Sequence, residues 1–229
     1  MHEVTNDFEV IMVLNTKRIF DIITASCGLL VFSPALGLIS ILIKFEDGGP
    51  IFYRGNRIGK HGKPFKIYKF RTMVVDAEKT GVSSTANSDS RITKIGKFLR
   101  RYKLDELSQL INVVKGDMSI VGPRPEVEKF VNLYKDEEKA LLEVCPGITD
   151  WASIWNNDEG SVIAASGFSD PDEAYEKIVR PTKIKLQLKY VKSHSLWIDL
   201  EIIFRTILAV LDNNHDVSDL APPLSKDVK

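Results

Sequence analysis

Residues 100–125 read RRYKLDELSQLINVVKGDMSIVGPRP, and the rest of the chain is organised around them. Two adjacent carboxylates, Asp105 and Glu106, follow a basic run and stand at the head of an apolar pattern with helical spacing, which Gly116 ends. The sequence therefore predicts Asp105 at or near a helix N-terminus, where unpaired N–H groups and the positive end of the helix dipole attract anions. The apolar positions of this helix are Leu104, Leu107, Leu110, Ile111 and Val114.

The other end of the stretch presents Arg124 between Pro123 and Pro125. Each proline limits its own φ and the conformation of the residue before it, so the guanidinium is carried by stiffened backbone. Helix N-termini and arginines bind phosphate oxygens, while paired carboxylates hold a divalent cation or attack phosphorus. The stretch predicts a phosphate-handling site. An ordinary helix cap and a stiff loop are the alternatives without a function.

Composition limits the class of protein. A chain of 229 residues is long enough for one domain with a real core. Lys+Arg and Asp+Glu are both 31, so the net charge is zero and gives no support to nucleic-acid binding. The two cysteines, Cys27 and Cys145, are far apart, which indicates a reducing compartment rather than a disulfide framework. The four histidines lack ligand-like spacing, which argues against zinc.

An apolar tract near the N-terminus predicts contact with a membrane. Residues 22–43 contain no charge, and a straight helix of this length would measure roughly 33 Å, enough to cross a bilayer core. Ser33-Pro34 lies in the middle of the tract, and a proline inside a helix predicts a break or a strong kink. Each half would then reach roughly 17 Å, about half the membrane.

Two arrangements of this tract stay open. It either spans the membrane with a kink or enters and leaves by the same face. Basic residues flank both ends, as Lys17 and Arg18 before the tract and Lys44 after it, which favours both ends being cytoplasmic. A cleavable signal peptide is not expected, because the tract is too long, starts too late and has no small-residue cleavage site after it.

The remaining segments carry weaker patterns. Residues 50–73 predict a hairpin whose second run places Lys69 and Arg71 on one face, with a solvated basic strand as the alternative. Residues 92–101 predict a basic amphipathic helix. The other predictions are a charged helix over 126–144, Trp151 and Trp155 at a membrane boundary or in the core, a strand over 183–192, and an interfacial or partly buried helix over 196–211.

Several motifs follow one another along the chain. They are Lys17-Arg18-Ile-Phe-Asp before the tract with Ser33-Pro34, Tyr68-Lys-Phe-Arg-Thr-Met73, Leu104-Asp-Glu-Leu-Ser-Gln-Leu110, Lys115-Gly-Asp-Met-Ser119 and Val121-Gly-Pro-Arg-Pro125. In this order they resemble the bacterial sugar transferase family, the small monotopic polyprenyl-phosphate phosphoglycosyl transferases in their minimal catalytic form. Each motif alone is weak or moderate, whereas the ordered set is specific.

The resemblance implies an activity. Members transfer a sugar 1-phosphate from a UDP-sugar to undecaprenyl or another polyprenyl phosphate and release UMP, with Mg²⁺. The family's covalent nucleophile falls on Asp105, and Glu106 is implied as a base or as a partner at the metal. Both carboxylates are therefore expected at the Mg²⁺ site. The resemblance places Arg124, with its flanking Pro123 and Pro125, on the phosphate-bearing substrate.

Lys69 and Arg71 are implied as further site residues with less defined roles. The resemblance also makes residues 183–192 helical, against the strand that their alternation predicts. The expected partners are the UDP-sugar donor, the polyprenyl phosphate acceptor, membrane lipid and downstream glycosyltransferases, with a homodimer left open. No nucleic acid is expected.

The implied fold is α+β and mainly α. It has a re-entrant membrane helix broken at Ser33-Pro34 and a small α/β catalytic domain with interfacial amphipathic helices, monotopic on the cytosolic face of the bacterial inner membrane. The expected division is a peripheral N-terminus (1–16), the re-entrant helix (17–45), the catalytic domain (46–211) and a C-terminal tail (212–229).

One segment departs from the family pattern. Many members carry a basic residue before Pro-Gly-Ile-Thr and then Gly-Trp-Ala-Gln-Val-Asn-Gly-Arg, whereas this chain has Cys145 before it and Asp150-Trp-Ala-Ser-Ile-Trp-Asn-Asn-Asp-Glu after it. If residues 150–159 line the sugar pocket, the choice of donor is open. Two other classes also stay open: a membrane-associated, metal-dependent phosphohydrolase, and a non-catalytic scaffold for glycan enzymes.

Overall fold

The computed structural model describes residues 2–86 and 89–211, which form a mainly helical fold with short strands. The helices are α1 (His2–Asp47), α2 (Lys94–Arg101), α3 (Leu110–Lys115), α4 (Glu128–Val131), α5 (Trp151–Trp155), α6 (Glu159–Ala165), α7 (Pro171–Ala174), α8 (Arg180–Ser193) and α9 (Leu196–Leu211). The strands are β1 (Phe52–Tyr53), β2 (Asn56–Ile58), β3 (Pro64–Lys66), β4 (Lys69–Phe70), β5 (Ser119–Val121) and β6 (Gly147–Thr149).

Short helices of other types join these elements. The 3-10 segments are Lys60–Gly62, Ala77–Thr80, Leu104–Gln109 and Asp136–Leu142, and Tyr175–Val179 forms a π-helical turn between α7 and α8. The predicted tail, residues 212–229, lies outside the described residues. The division of the chain at residues 17 and 46 stays a prediction, because α1 runs through both positions.

Helix α1 is continuous through Ser33 and Pro34. Pro34 has no N–H to donate to the carbonyl of Leu30, one turn earlier. The Ser33 hydroxyl donates to that carbonyl instead, at 2.8 Å, so the acceptor is satisfied and the helix continues. The predicted break of the helix at Ser33-Pro34 does not occur, because these residues remain helical. The re-entry of α1 into the membrane stays a prediction.

Both ends of the apolar part of α1 are attached to the remainder of the fold. At the first end, the Lys17 ammonium lies 2.6 Å from a carboxylate oxygen of Asp199 on α9. At the other end, Asp47 forms a two-point ion pair with the guanidinium of Arg71. The two attachments are 30 residues apart along α1 (47 − 17 = 30). Both ends of the apolar tract therefore contact the same folded body.

The middle of α1 leaves that body. Every residue from 30 to 35 is exposed, which is more than a full helical turn without a buried face. In the described part of the chain, Thr16–Asp47 is the segment long and apolar enough to cross a membrane. Only 11% of its most apolar window is buried, whereas a helix from the core of a soluble protein would be mostly buried. This supports membrane association.

The segment after α1 folds into two nested antiparallel pairs, which confirms the predicted hairpin. Strand β1 pairs with β4, with Phe52 opposite Phe70, and β2 pairs with β3, with Arg57 opposite Phe65. The inner pair closes through the 3-10 turn Lys60–Gly62. The hairpin thereby brings Lys69, at the start of β4, against the 3-10 segment that carries the two adjacent carboxylates.

Strands β5 and β6 are parallel, and two glycines allow their close approach. A Cβ added to Gly147 would lie 2.0 Å from the backbone nitrogen of Gly122, and one added to Gly122 would lie 2.4 Å from the carbonyl oxygen of Cys145. No side chain fits at either position. The N–H of Gly147 donates to the carbonyl of Pro123 at 3.0 Å, which fixes the start of the Pro-Arg-Pro loop.

Four further predicted elements can be compared with the structure. The strand that alternation alone predicts over 183–192 is wrong, and the helix that the family resemblance implies there is confirmed, because these residues form most of α8. The single charged helix predicted over 126–144 is also wrong, since α4 ends after four residues and a separate 3-10 segment follows it. The helices predicted over 92–101 and 196–211 are confirmed as α2 and α9.

Among the residues that the structure describes, the buried apolar side chains form three clusters. The largest joins α1, α3, α5, α8 and α9 around β5, with Trp151 inside it, so this tryptophan belongs to the core. A second cluster packs the C-terminal half of α1 on β4 and α2 through Ile39, Ile43, Phe70 and Leu99. The third lies between α4, α6, α7 and the π-helical turn, and contains Phe130, Ile163, Ala174, Tyr175 and Val179.

Candidate active site

Asp105 and Glu106 lie in the first turn of the 3-10 segment Leu104–Gln109, which leads directly into α3. The predicted position at a helix start is confirmed, with a 3-10 turn in place of the first α-helical turn. Gly116 ends α3 in the left-handed conformation, with φ of 93°, as its position after the apolar pattern predicts.

Lys69 and Arg124 neutralise these two carboxylates from different sides. The Lys69 ammonium lies 2.9 Å from Oδ2 of Asp105 and 3.1 Å from Oε1 of Glu106. The Arg124 guanidinium forms a bidentate ion pair with Glu106, in which Nη1 donates to Oε2 at 3.0 Å and Nη2 donates to Oε1. The structure therefore brings together four of the residues that the sequence singled out.

Asp105 retains one unused oxygen. Its side chain is 2% exposed, and Oδ1 has no hydrogen-bond partner among the described residues, while Oδ2 faces Lys69. A buried carboxylate oxygen without a partner is costly unless something else binds it. Unpaired polar atoms of this kind occur at functional sites, and this one suits a metal ligand or a nucleophile.

The electrostatic balance keeps Glu106 ionised. Burial raises the pKa of Glu106, but the charges of Arg124 and Lys69 outweigh burial, so this pKa lies well below its usual value. The same ion pair raises the pKa of Arg124. Because Asp105 and Glu106 face Lys69 and Arg124, the charges of these four side chains cancel when all are ionised.

Arg71 lies elsewhere. The Arg71 N–H still donates to the carbonyl of Ile51 at 2.9 Å just beyond the end of β4, but its side chain binds different partners from that of Lys69. Its side chain is 8% exposed and is held by Asp47, by the carbonyl of Pro50 at 2.6 Å and by the carbonyl of Met73 at 3.0 Å. The structure therefore places Arg71 as an anchor for the end of α1 rather than beside the carboxylates.

The position of Lys69 depends on two polar residues that the sequence did not single out. Asn112, fully buried on α3, accepts a hydrogen bond from the Tyr68 N–H at 2.7 Å and donates to the carbonyl of Lys66 at 2.9 Å. The Ser108 hydroxyl donates to the carbonyl of Tyr68 at 3.2 Å. These bonds fasten residues 66–68, immediately before Lys69, to the 3-10 segment of the carboxylates and to α3.

Lys103 is a further cation at the site that sequence reasoning missed. It begins the carboxylate turn with φ of 55°, a left-handed conformation that is uncommon for a residue with a side chain. Burial lowers the pKa of Lys103, and Glu106, Arg124, Lys69 and Asp105 are all near enough to act on it. Within the described ranges its ammonium forms no hydrogen bond or ion pair. The signal available in the sequence was its place two residues before Asp105.

The backbone of Arg124 is held by Asp150, which lies in the segment that departs from the family pattern. The Asp150 side chain is completely buried, and its Oδ2 accepts the backbone N–H of Arg124 at 3.2 Å. Its Oδ1 accepts the N–H of Ser153 at 2.6 Å and so caps α5. Pro123 and Pro125 are buried on either side of Arg124, whose side chain is 32% exposed.

The residues at the site fit a magnesium ion shared with substrate. The described residues contain no group of three or more His, Cys, Asp or Glu side chains placed to hold a metal. In phosphoryl-transfer sites, however, Mg²⁺ is bound by one or two carboxylates together with substrate phosphates and water. The unused Oδ1 of Asp105 and the adjacent Glu106 are such a donor set.

Comparisons with known proteins show the family to which the chain belongs. A family model described as "Bacterial sugar transferase" matches residues 12–213. The UDP-N-acetylgalactosamine-undecaprenyl-phosphate N-acetylgalactosaminephosphotransferase of Aeromonas hydrophila is 37% identical over 201 residues, 85% of this chain and 43% of that protein. The UDP-glucose:undecaprenyl-phosphate glucose-1-phosphate transferase of Escherichia coli (strain K12) is 38% identical over 194 residues, 83% of this chain and 39% of that protein.

A third relative matches over most of its length. The exopolysaccharide production protein ExoY of Rhizobium meliloti (strain 1021) is 39% identical over 209 residues, 85% of this chain and 84% of that protein. The chain thus spans about two fifths of the first two relatives and most of the third. All the site residues named above lie inside the matched range 12–213.

Proposed function

Because the chain belongs to the bacterial sugar transferase family, we propose that it transfers a sugar 1-phosphate from a UDP-sugar to undecaprenyl phosphate and releases UMP. The names of its relatives support the acceptor and the class of donor. The observation that carries the proposal is the carboxylate of Asp105, buried and held on one oxygen by Lys69, with its other oxygen free of any described partner.

The first step is a displacement at phosphorus. Oδ1 of Asp105 attacks the phosphorus that bears the sugar, and a P–O bond forms as the bond between that phosphorus and the oxygen bridging to UMP breaks. The electron pair leaves with UMP, and Asp105 becomes a mixed anhydride with the sugar phosphate. Lys69, on Oδ2, holds the carboxylate in place for this attack.

The second step reverses the roles. An oxygen of undecaprenyl phosphate attacks the same phosphorus, and the bond to Asp105 breaks, which regenerates the free carboxylate and yields a lipid diphosphate sugar. Dividing the reaction in this way lets UMP leave before the second anion arrives. Neither step transfers a proton, because the acceptor phosphate is already ionised at neutral pH.

Cations at the site stabilise the charge that these steps place on phosphate oxygens. Arg124 is 32% exposed and is fixed to Glu106, so its guanidinium faces both protein and substrate. Lys103 adds an ammonium without a described partner. Because Oδ1 of Asp105 attacks phosphorus, a magnesium ion in this step would be held by Glu106 together with phosphate oxygens, and it would supply further charge neutralisation when bound.

The attachment of α1 supports a re-entrant arrangement. Lys17 and Asp47 bind the same folded body, while residues 30–35 between them are all exposed. A helix that crossed the membrane completely would put these two ends on opposite sides. We therefore infer that α1 enters and leaves by the cytosolic face of the bacterial inner membrane, with Ser33 and Pro34 near its deepest point.

Helix α9 adds a second apolar surface for the same membrane face. Its exposed large apolar side chains recur at three- and four-residue spacing and so share one face. Such a helix lies in the headgroup region, which would hold the site at the depth of the acceptor's phosphate. The residues of this face are Trp197, Leu200, Phe204, Ile207 and Leu211.

The decisive experiment is an assay of purified protein with undecaprenyl phosphate, Mg²⁺ and a panel of UDP-sugars. Transfer yields UMP and a lipid diphosphate sugar, whereas a phosphohydrolase would yield free sugar phosphate or phosphate. Incubation with the donor alone, followed by intact and peptide mass spectrometry, should reveal the sugar-phosphate adduct on Asp105. Full turnover by Asp105→Asn would overturn the proposed nucleophile. Silence with every donor would overturn the activity.

The arrangement of α1 is tested separately by labelling. Single cysteines replace Thr16 and Glu46, at the two ends of the apolar segment, in a chain without Cys27 and Cys145. A membrane-impermeant maleimide should label both new cysteines in inside-out vesicles and neither in intact spheroplasts. Labelling of one end from each side would show a spanning helix instead.

A further inference from the structure

Helix α8 buries three polar side chains on one face. Lys183, Gln187 and Tyr190 occupy positions i, i+4 and i+7, which align along a helix, and they are 6%, 0% and 1% exposed. Buried polar groups are costly unless they are hydrogen-bonded. The bonds that these three side chains make therefore indicate what the buried face of α8 does.

All three lead to the segment from Val121 to Glu126. The Tyr190 hydroxyl shares its single proton between Oδ1 of Asp199 on α9, at 2.7 Å, and the carbonyl of Val121, at 3.2 Å. Nε2 of Gln187 donates at 2.7 Å to Oδ2 of Asp150, the same oxygen that accepts the Arg124 N–H.

The third contact closes the far end of the segment. The Lys183 ammonium pairs with Oε1 of Glu126 at 2.5 Å, and both side chains are less than one tenth exposed. The Tyr175 hydroxyl also donates to Oε1 of Glu126. The segment is therefore held before, at and after Arg124 by one helix that runs in the opposite direction, since Lys183 near the start of α8 contacts Glu126 and Tyr190 near its end contacts Val121.

The contacts fix the backbone of Arg124 but leave its guanidinium accessible. Within this segment, Arg124 donates its backbone N–H inward to Asp150, while its side chain extends to Glu106 on the opposite side. A shift of the backbone would thus move the guanidinium relative to Asp105 by a similar distance. Misplacement of a substrate-positioning group by about 1 Å can cost roughly 100-fold in rate.

We propose that the buried polar face of α8 is a clamp that positions Arg124 for the substrate phosphates, with Lys183, Gln187 and Tyr190 as positioning residues. The clamp deepens the proposed function and rests on it, since Arg124 must contact phosphate for its position to matter. A helix that served only packing would achieve the same burial with apolar side chains, without the cost of removing polar groups from water.

The clamp itself is tested by hydrogen exchange, which needs no turnover. Gln187→Met keeps the volume and removes the donor to Asp150, and Tyr190→Phe removes only the hydroxyl. In both variants, amide exchange in the peptide covering residues 119–127 should accelerate roughly tenfold. Lys185→Met, on the exposed side of α8, is the matched control and should leave it unchanged. Unchanged exchange in both folded variants would overturn the clamp.

The effect on Arg124 is tested by a double-mutant cycle on kcat/KM with radiolabelled donor. Gln187→Met should lower kcat/KM roughly tenfold in the otherwise native chain but less than about twofold when Arg124 is already alanine. Equal losses in both backgrounds would show a general structural effect and overturn the positioning role. If the native protein transfers no sugar phosphate, the proposed function fails, while the exchange experiment still decides whether the clamp exists.

Discussion

Removing the charge of Lys183 tests the most deeply buried ion pair described near the site. The ammonium of Lys183 and the carboxylate of Glu126 are 7% and 9% exposed, and the Tyr175 hydroxyl contacts both. Lys183→Met preserves most of the side-chain volume, so the change isolates the charge. It leaves Glu126 buried without its strongest partner.

The expected loss of stability is large. Breaking a buried ion pair by removing one partner costs about 3–5 kcal/mol, because the remaining charge stays buried and uncompensated. For a chain of 229 residues, each kcal/mol shifts the unfolding midpoint by about 2–4 °C, so we expect Tm to fall by roughly 6–20 °C. A second change, Glu126→Gln, removes the stranded charge and should recover most of the loss.

The loss should depend on pH with a defined sign. Burial raises the pKa of Glu126, and the Lys183 charge outweighs burial, so this pKa lies below its usual value and the pair's stabilisation is lost only as pH falls through it. Without Lys183, burial dominates and the pKa of Glu126 rises above its value in the unfolded chain. As pH falls, Glu126 in the folded variant then takes up a proton at a higher pH than it does in the unfolded variant. Acidification from pH 8 toward pH 5 should therefore reduce the difference in unfolding free energy between Lys183→Met and the native chain.

Thermal unfolding of detergent-solubilised protein, followed by circular dichroism at pH 8 and pH 5, measures both effects. Lys185→Met, an exposed substitution on the same helix, should stay within about 0.5 kcal/mol of the native chain. A fall in Tm of less than about 2 °C for Lys183→Met would refute the buried-pair argument. So would a gap that widens at pH 5, because it would mean that Glu126 does not take up a proton when its partner is removed.

Three further predictions concern single residues. Lys103→Met should lower kcat/KM about 10–100-fold by removing a phosphate-facing charge, while Lys97→Met on the exposed side of α2 should not. Gly122→Ala should cost about 3 kcal/mol in thermal unfolding, because its Cβ meets a carbonyl oxygen at 2.4 Å, whereas Gly37→Ala, with nothing within 4 Å, should not destabilise. Burial raises the pKa of the Cys145 thiol to about 11. In a chain with Cys27 replaced by serine, the rate of iodoacetamide alkylation should therefore keep rising up to that pH, because the thiolate is the reactive form. A rate profile with its midpoint near pH 8–9 would contradict this.

The sequence predicted the carboxylate turn well because the information there is local. Asp105 and Glu106 precede an apolar pattern of helical period, and Gly116 ends it, so three independent local signals agree. The hairpin that brings Lys69 to them also follows from a turn between two β-prone runs. Each of these inferences needed only the residues of the segment itself.

The inferences that failed depended on contacts between distant segments. Lys69 and Arg71 were both implied as site residues, but Arg71 pairs with Asp47 at the end of α1, whereas Lys69 binds the two carboxylates. In residues 183–192 the alternation of polar and apolar residues alone predicted a strand, and only the family resemblance implied the helix that is observed. Lys183 and Gln187 face inward, toward carboxylates 57 and 37 residues earlier. No local period contains that information.

The electrostatics of Glu106 favour one of the two roles that the sequence left open for it. A base is most effective when its pKa is near the working pH, and Arg124 and Lys69 hold the pKa of Glu106 well below even its usual value. The proposed reaction also exchanges P–O bonds without moving a proton. Glu106 is therefore better suited to fix Arg124, share Lys69 with Asp105 and take part in binding a cation. The two carboxylates then have different roles. Glu106 binds Arg124, and Asp105 keeps one oxygen free to attack phosphorus.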